Sequence, residues 1–199
     1  MNLANETFNL IANVAFFLFF PLIWYLIKEK KIKGFFRDLG VFKPKNINVF
    51  KIFVMILTVY AITLLANLAV IYSGYSMRDN TIFQNTGFIS QFLIIILFGL
   101  KTGIGEEIFF RGFIAKKCFA KLGFIKGNIL QAVIFASVHF VISGSASYVD
   151  IIVRIINAFV LGYIFGYVVE KKSNGSIIPV IIAHSLINIT SSLIFLLVF

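Results

Sequence analysis

Acidic residues are scarce in this sequence: eight Asp and Glu among 199 residues, against eighteen Lys and Arg. Charge of either sign makes up 13% of the chain, where a soluble domain carries roughly 25%. With so little charge, and with 25 Phe to cover, an ordinary cytosolic enzyme is excluded, because too much of its surface would be apolar. So high a hydrophobic content equally excludes a disordered chain. A single cysteine, Cys118, excludes an internal disulfide. Histidine occurs twice, and no His/Cys tract suggests a structural zinc. A Gly-x-Ser-x-Gly elbow, a His-Glu-x-x-His pair, phosphate loops and nucleotide-binding glycine patterns are all missing.

What is present is apolar length. Hydrophobic residues make up 60% of the chain, with a mean hydropathy of +0.98. A helix needs about 20 apolar residues to cross a bilayer. Six segments qualify or nearly so: Phe8–Ile27, Ile52–Tyr72, Phe88–Ala115, Ile129–Ile142, Val149–Val169 and Ile177–Phe199. Glycine breaks at Gly99, Gly103 and Gly105 mark the third, and the fourth is short. The expected fold is an all-α, polytopic transmembrane helical bundle of about six spans, more if helices are broken. Residues 1–87 would supply two N-terminal spans joined by a basic loop, and residues 88–199 the core. The first segment has no basic n-region and no small-residue cleavage site before its Lys cluster, so it reads as a retained anchor rather than a signal peptide.

The excess of basic residues sets orientation. Lys28, Lys30, Lys31, Lys33, Arg37, Lys43, Lys45 and Lys51 lie between the first and second segments. Arg111, Lys116, Lys117, Lys121 and Lys126 surround the third-to-fourth connection, and Lys171 and Lys172 the fifth-to-sixth. Fifteen of eighteen cations thus fall in three alternating positions; the opposite loops hold only Arg78, with Arg154 near that edge. This pattern predicts three cytoplasmic connections and both termini outside. It also explains a net charge of +10 without nucleic acid as a partner; the partner it implies is a lipid bilayer. Lys101 fits neither side and is expected to snorkel or to pair with a lipid or carbonyl. The run Gly34 to Gly40 mixes aromatics with charges and reads either as an interfacial helix or as a basic linker. Gly162 and Gly166, four apart, should allow close helix packing within the bundle.

Six of the eight acidic residues, Glu6, Glu29, Asp38, Asp79, Asp150 and Glu170, fall in loops or at segment edges. Glu106 and Glu107 do not: they are adjacent inside the third segment. Both histidines also fall inside segments, His139 in the fourth and His184 in the sixth, with Asn188 four residues after His184. Ionisable groups there cost about 2.5–3.5 kcal/mol each, which makes them functional candidates. Counted from the basic ends, Glu106, His139 and His184 lie roughly 12–17 Å deep at the helical rise per residue. Glu107 and Arg111 are i, i+4 and can pair, which leaves Glu106 on another face as a general base. His184 and Asn188 share one face, and so do Phe135 and His139. Each has an alternative reading: a proton relay, a helix–helix hydrogen bond, a snorkelling arginine. Glu106, His139 and His184 together could also hold a zinc with one open position.

Three spaced motifs sharpen this. Glu106-Glu107-Ile108-Phe109-Phe110-Arg111 is Glu-Glu-x-x-x-Arg, Phe135-Ala136-Ser137-Val138-His139 is Phe-x-x-x-His, and His184-Ser185-Leu186-Ile187-Asn188 is His-x-x-x-Asn. In this order, on separate helices, they resemble the CAAX-type prenyl endopeptidases and their prokaryotic relatives, the bacteriocin-processing and self-immunity (CPBP, Abi) membrane family. The resemblance covers about Phe88 to Ser191. It implies an intramembrane endopeptidase in the plasma membrane of a prokaryote, with a cavity open to the cytoplasm. By the same resemblance Glu106 activates a water, assisted by His139. His184 and Asn188 stabilise the oxyanion, and Glu107, Arg111 and Phe135 support them. The implied substrate is a prenylated or hydrophobic peptide. The implied reaction needs no cofactor, with a zinc-dependent version and a catalytically silent immunity protein as the alternatives.

Overall fold

The computed structural model describes residues 2–75, 87–141 and 147–198. Arg78, Asp79, Ile142 and Phe199, which the sequence reading used, lie outside the described residues. Every element described is helical: α1 (Leu3–Glu29), α2 (Phe35–Asp38), α3 (Val49–Tyr72), α4 (Phe88–Glu107), a π-helical segment (Ile108–Ala115), α5 (Lys116–Val141), α6 (Tyr148–Lys171) and α7 (Ile178–Val198). No strand occurs among the described residues. The helices start where the sequence supplies caps. Asn2 Oδ1 accepts from Asn5 N at 2.8 Å and Asn48 Oδ1 from Lys51 N at 2.9 Å, each satisfying an orphan donor of the first turn.

Five helices are long and apolar enough to cross a membrane: Leu3–Glu29, Val49–Tyr72, Phe88–Phe140, Tyr148–Lys171 and Ile178–Leu197. The third of these holds both the third and the fourth expected segments, but it is not one rod. Gly123 has φ 70° and ψ 173°, a conformation essentially confined to glycine. Beyond it the chain folds back: a Cβ on Gly127 would lie 2.7 Å from the Cys118 carbonyl carbon, whereas a straight helix would hold residues nine apart by about 13 Å. The Phe119 and Phe124 rings close over the turn, 5.5 Å between centroids. The expectation of about six helical segments therefore stands, with two of them joined by a glycine turn instead of a loop.

The chain divides into two compact units, each drawing residues from both sides of residue 88. One holds α1, α2, α4, the π-helical segment as far as Phe113, and α7. There α1 and α7 each pack on α4, and the glycines of α4 explain how. They do not break the helix, which runs unbroken through Gly99, Gly103 and Gly105; they are its contact stripe. A Cβ on Gly99 would lie 2.8 Å from the Ser185 carbonyl oxygen, one on Gly103 2.7 Å from Ser185 N, and one on Gly105 2.5 Å from Asn13 Oδ1 of α1. In a bilayer, small residues at such spacing let helix backbones approach, because burial of apolar surface offers no drive. The Gly34–Gly40 run is not a free linker: it forms the short helix α2, anchored on one side with its charged residues exposed. Phe35 and Leu39 are buried, Ile177 N donates to the Gly40 carbonyl at 3.0 Å, and Ser176 Oγ donates to the Phe42 carbonyl at 2.5 Å.

The other unit holds α3, α5 and α6. Gly162 and Gly166 pack α6 on α5, as expected of an intrabundle contact; a Cβ on Gly166 would lie 2.7 Å from Gln131 Nε2. Buried amides reinforce that seam: Gln131 Nε2 donates to the Gly162 carbonyl at 2.8 Å and Asn128 Nδ2 to the Tyr163 carbonyl at 3.0 Å. Asn157 ties α6 to α3 through the Thr63 carbonyl (3.2 Å) and Asn67 Oδ1 (3.0 Å).

Candidate active site

The first unit gathers five of the seven sequence-predicted side chains. Glu106 and Glu107 end α4, and the π-helical segment begins one residue later. A π-helix advances each residue by a smaller angle than an α-helix, so positions four apart stack almost directly above one another; such segments are frequent at functional sites. Arg111 accordingly sits over Glu107, its Nη1 donating to Glu107 Oε1 at 3.0 Å. Both side chains are fully buried. The same oxygen receives a second donor, His184 Nδ1 of α7, at 2.7 Å. A carboxylate held by a guanidinium can only accept, so the proton of that bond belongs to His184 Nδ1 and the ring tautomer is set. The other ring nitrogen, Nε2, lies 3.9 Å from Glu106 Oε2, beyond direct hydrogen-bond range. Glu106 Oε2 is buried with no hydrogen-bond partner among the described residues. The two adjacent carboxylates thus take different environments: Glu107 is held through Oε1 by a guanidinium and a ring donor, its Oε2 buried without a hydrogen bond, while Glu106 presents an oxygen toward His184.

Asn188, one turn further along α7, donates through Nδ2 to Thr102 Oγ1 of α4 at 2.7 Å. Thr102 precedes Glu106 by one helical turn. Sequence reasoning missed it because a threonine in an apolar helix carries little signal; its spacing from Glu106 was the available clue.

The second unit holds His139 and Phe135 on α5. His139 Nδ1 lies 3.1 Å from the Phe135 carbonyl oxygen, which can only accept, so this ring too carries a proton on Nδ1. The Phe135 ring stands edge-on to the imidazole, 4.8 Å between centroids, and fixes its plane.

Two further ion pairs were missed. Lys101 Nζ pairs with Glu6 Oε2 at 3.3 Å, Glu6 being almost wholly buried, and Glu6 Oε1 accepts from Asn9 Nδ2 at 2.9 Å. The expected partners of Lys101, a lipid or a carbonyl, give way to a carboxylate on α1. Glu6 is not an edge residue in chemical terms, because burial within α1 and α4 demands a counterion. Arg154 forks onto Asp150 with bonds of 2.7 and 2.6 Å.

Among the described residues no three His, Cys, Asp or Glu side chains form a group that could hold a metal ion. His184 Nδ1 and Arg111 already occupy Glu107 Oε1.

Residues 88–190 match the Rce1-like family, described as type II CAAX prenyl endopeptidase Rce1-like. The matched stretch contains all three motifs. No curated protein and no solved structure matches the chain.

Proposed function

The chain belongs to the Rce1-like family of type II CAAX prenyl endopeptidases, and from that premise we propose that it is an active intramembrane endopeptidase of the glutamate type. It is an integral membrane protein of a protease family. The proposed reaction hydrolyses a peptide bond in a prenylated or otherwise hydrophobic peptide. Glu106 takes a proton from a water molecule, whose oxygen attacks the scissile carbonyl carbon; His139 assists. The C–N bond then breaks, and the proton on Glu106 passes to the departing amine nitrogen. The tetrahedral oxyanion is stabilised by the amide of Asn188 and by His184. Because His184 commits its Nδ1 proton to Glu107, its Nε2 donates to an oxyanion only in the imidazolium form.

The observation that carries this reading is the asymmetry of the two carboxylates. Glu107 Oε1 receives Arg111 and His184, while the buried Glu106 Oε2 keeps its capacity to accept a proton. A single carboxylate relaying protons across a membrane would not require a neighbour devoted to fixing an imidazole. The proposed chemistry uses no bound metal. We place the protein in the plasma membrane of a prokaryote, its site opening to the cytoplasm, on the strength of the basic connections.

The test uses purified protein in detergent with two quenched-fluorescent peptides, one farnesylated and of CAAX type, one unprenylated and apolar. Wild type should cleave at least one, and Glu106→Gln should lose about 10²- to 10⁴-fold in kcat, the usual worth of a general base. Activity should survive exhaustive chelation, and metal analysis should find no stoichiometric zinc. Equal activity in wild type and Glu106→Gln would sink the proposal and leave a silent immunity protein. Chelation that abolishes cleavage would replace the glutamate mechanism by a zinc one.

A further inference from the structure

We propose that Thr102 is a positioning residue for the hydrolysis, acting by fixing which way the Asn188 amide faces; the inference rests on the proposed peptidase reading. A threonine hydroxyl has one proton and two lone pairs. Thr102 Oγ1 gives its proton to the carbonyls of its own helix, Phe98 O at 3.0 Å and Gly99 O at 3.2 Å. With that proton spent, the oxygen can only accept. A hydroxyl restricted to accepting selects the NH2 end of an amide over its carbonyl end, and Asn188 Nδ2 answers at 2.7 Å. One N–H of Asn188 is thereby held against α4. The amide plane is set, and the second N–H points in a fixed direction, available to a developing oxyanion.

The helix contact is built around this bond. Gly99 and Gly103 flank Thr102 in sequence, and both lack the Cβ that would meet α7 backbone at Ser185. Only that close approach brings the Asn188 side chain within reach of a hydroxyl as short as threonine's. Thr102 also lies one turn before Glu106 on α4, so the hydroxyl that orients the donor and the base share one rigid element. Preorganised donors at the developing charge contribute most when no reorientation is left to the reaction.

The experiment measures kcat and KM on the farnesylated and unprenylated peptides for Thr102→Val, Thr102→Ser, Asn188→Ala and the double variant Thr102→Val/Asn188→Ala. Thr102→Val keeps size and loses the acceptor. It should lower kcat about 10- to 100-fold with KM within about twofold, the signature of an interaction felt in the transition state. Thr102→Ser keeps the hydroxyl and should recover kcat to within about threefold. In the Asn188→Ala background the valine substitution should have no further effect. If the valine variant fails to fold, Thr102→Ala removes the same acceptor without adding a methyl. Wild-type kcat in Thr102→Val, or losses that multiply in the double variant, overturn the inference while an inactive Glu106→Gln leaves the peptidase reading standing. A wild type that cleaves neither peptide overturns both.

Discussion

Glu107 sits where three charged or titratable groups meet, and its removal should show on two separate measurements. Arg111 is fully buried, in a helix of a membrane protein, and its guanidinium is bonded to Glu107 Oε1. Taking away one member of a buried ion pair costs about 3–5 kcal/mol, because the remaining charge stays in a poor solvent. Glu107→Ala should destabilise by about that much in reversible unfolding from detergent micelles. The double variant Glu107→Leu/Arg111→Met, of similar bulk and no charge, should recover most of it while remaining inactive. Glu107→Gln separates folding from chemistry. The amide still accepts hydrogen bonds but also donates, so it no longer dictates the His184 tautomer; cleavage of the farnesylated peptide should fall about 10²- to 10⁴-fold with a far smaller loss of stability. Cleavage at the wild-type rate in Glu107→Gln would show that the tautomer does not matter. The i, i+4 spacing made the Glu107–Arg111 pair legible from sequence. The His184–Glu107 bond was not, since it depends on how α7 rotates against α4. That rotation assigns His184 a carboxylate anchor beside its expected partnership with Asn188.

Among the elements, the α4–α7 contact is the one that most directly controls the site. Gly103 faces Ser185, and a Cβ there would lie 2.7 Å from Ser185 N, closer than packed atoms tolerate. Gly103→Ala should therefore push α7 outward. Overpacking of this kind costs about 1–3 kcal/mol, and the shift should lengthen the His184–Glu107 and Asn188–Thr102 bonds together. The expected outcome is a lower unfolding temperature with a loss of kcat larger than that of Gly162→Ala, in the other unit, whose Cβ would approach the Phe135 ring at 3.2 Å and Ala132 Cα at 3.4 Å, but no atom closer. If the Gly103 variant lost stability and kept full kcat, the contact would be structural only. Hydropathy located α4 correctly but took its glycines for interruptions. A run of small residues looks the same in sequence whether it breaks a helix or lines a seam; only the partner, α7, distinguishes the two. The same ambiguity hid Lys101, whose counterion Glu6 is supplied by another helix far away in sequence.

For the whole molecule, the proposed parity of crossings turns on Gly123. Five helices satisfy length and composition, and five complete crossings would leave the two ends of the chain on opposite sides of the membrane. The Phe88–Phe140 run, however, folds back at Gly123, which holds a left-handed φ of 70°, with Lys116, Lys117, Lys121 and Lys126 around it. Cations concentrate on cytoplasmic connections, so we propose that the turn lies at the cytoplasmic face and that the run makes two crossings. On the proposed orientation the total is then six, with both ends outside and the carboxylate pair of α4 on the cytoplasmic half of its span. In a Cys118→Ser background, single cysteines placed at Asn5 and at Leu197 should both react with a membrane-impermeant maleimide on intact cells. A cysteine at Lys31 should react only after permeabilisation. Replacing Gly123 with Ala should cost about 1–3 kcal/mol, because the added Cβ is strained in that backbone conformation, without changing which cysteines react. Labelling of Asn5 and Leu197 from opposite sides would mean that the long run crosses once, and would remove the basis for a site that opens to the cytoplasm.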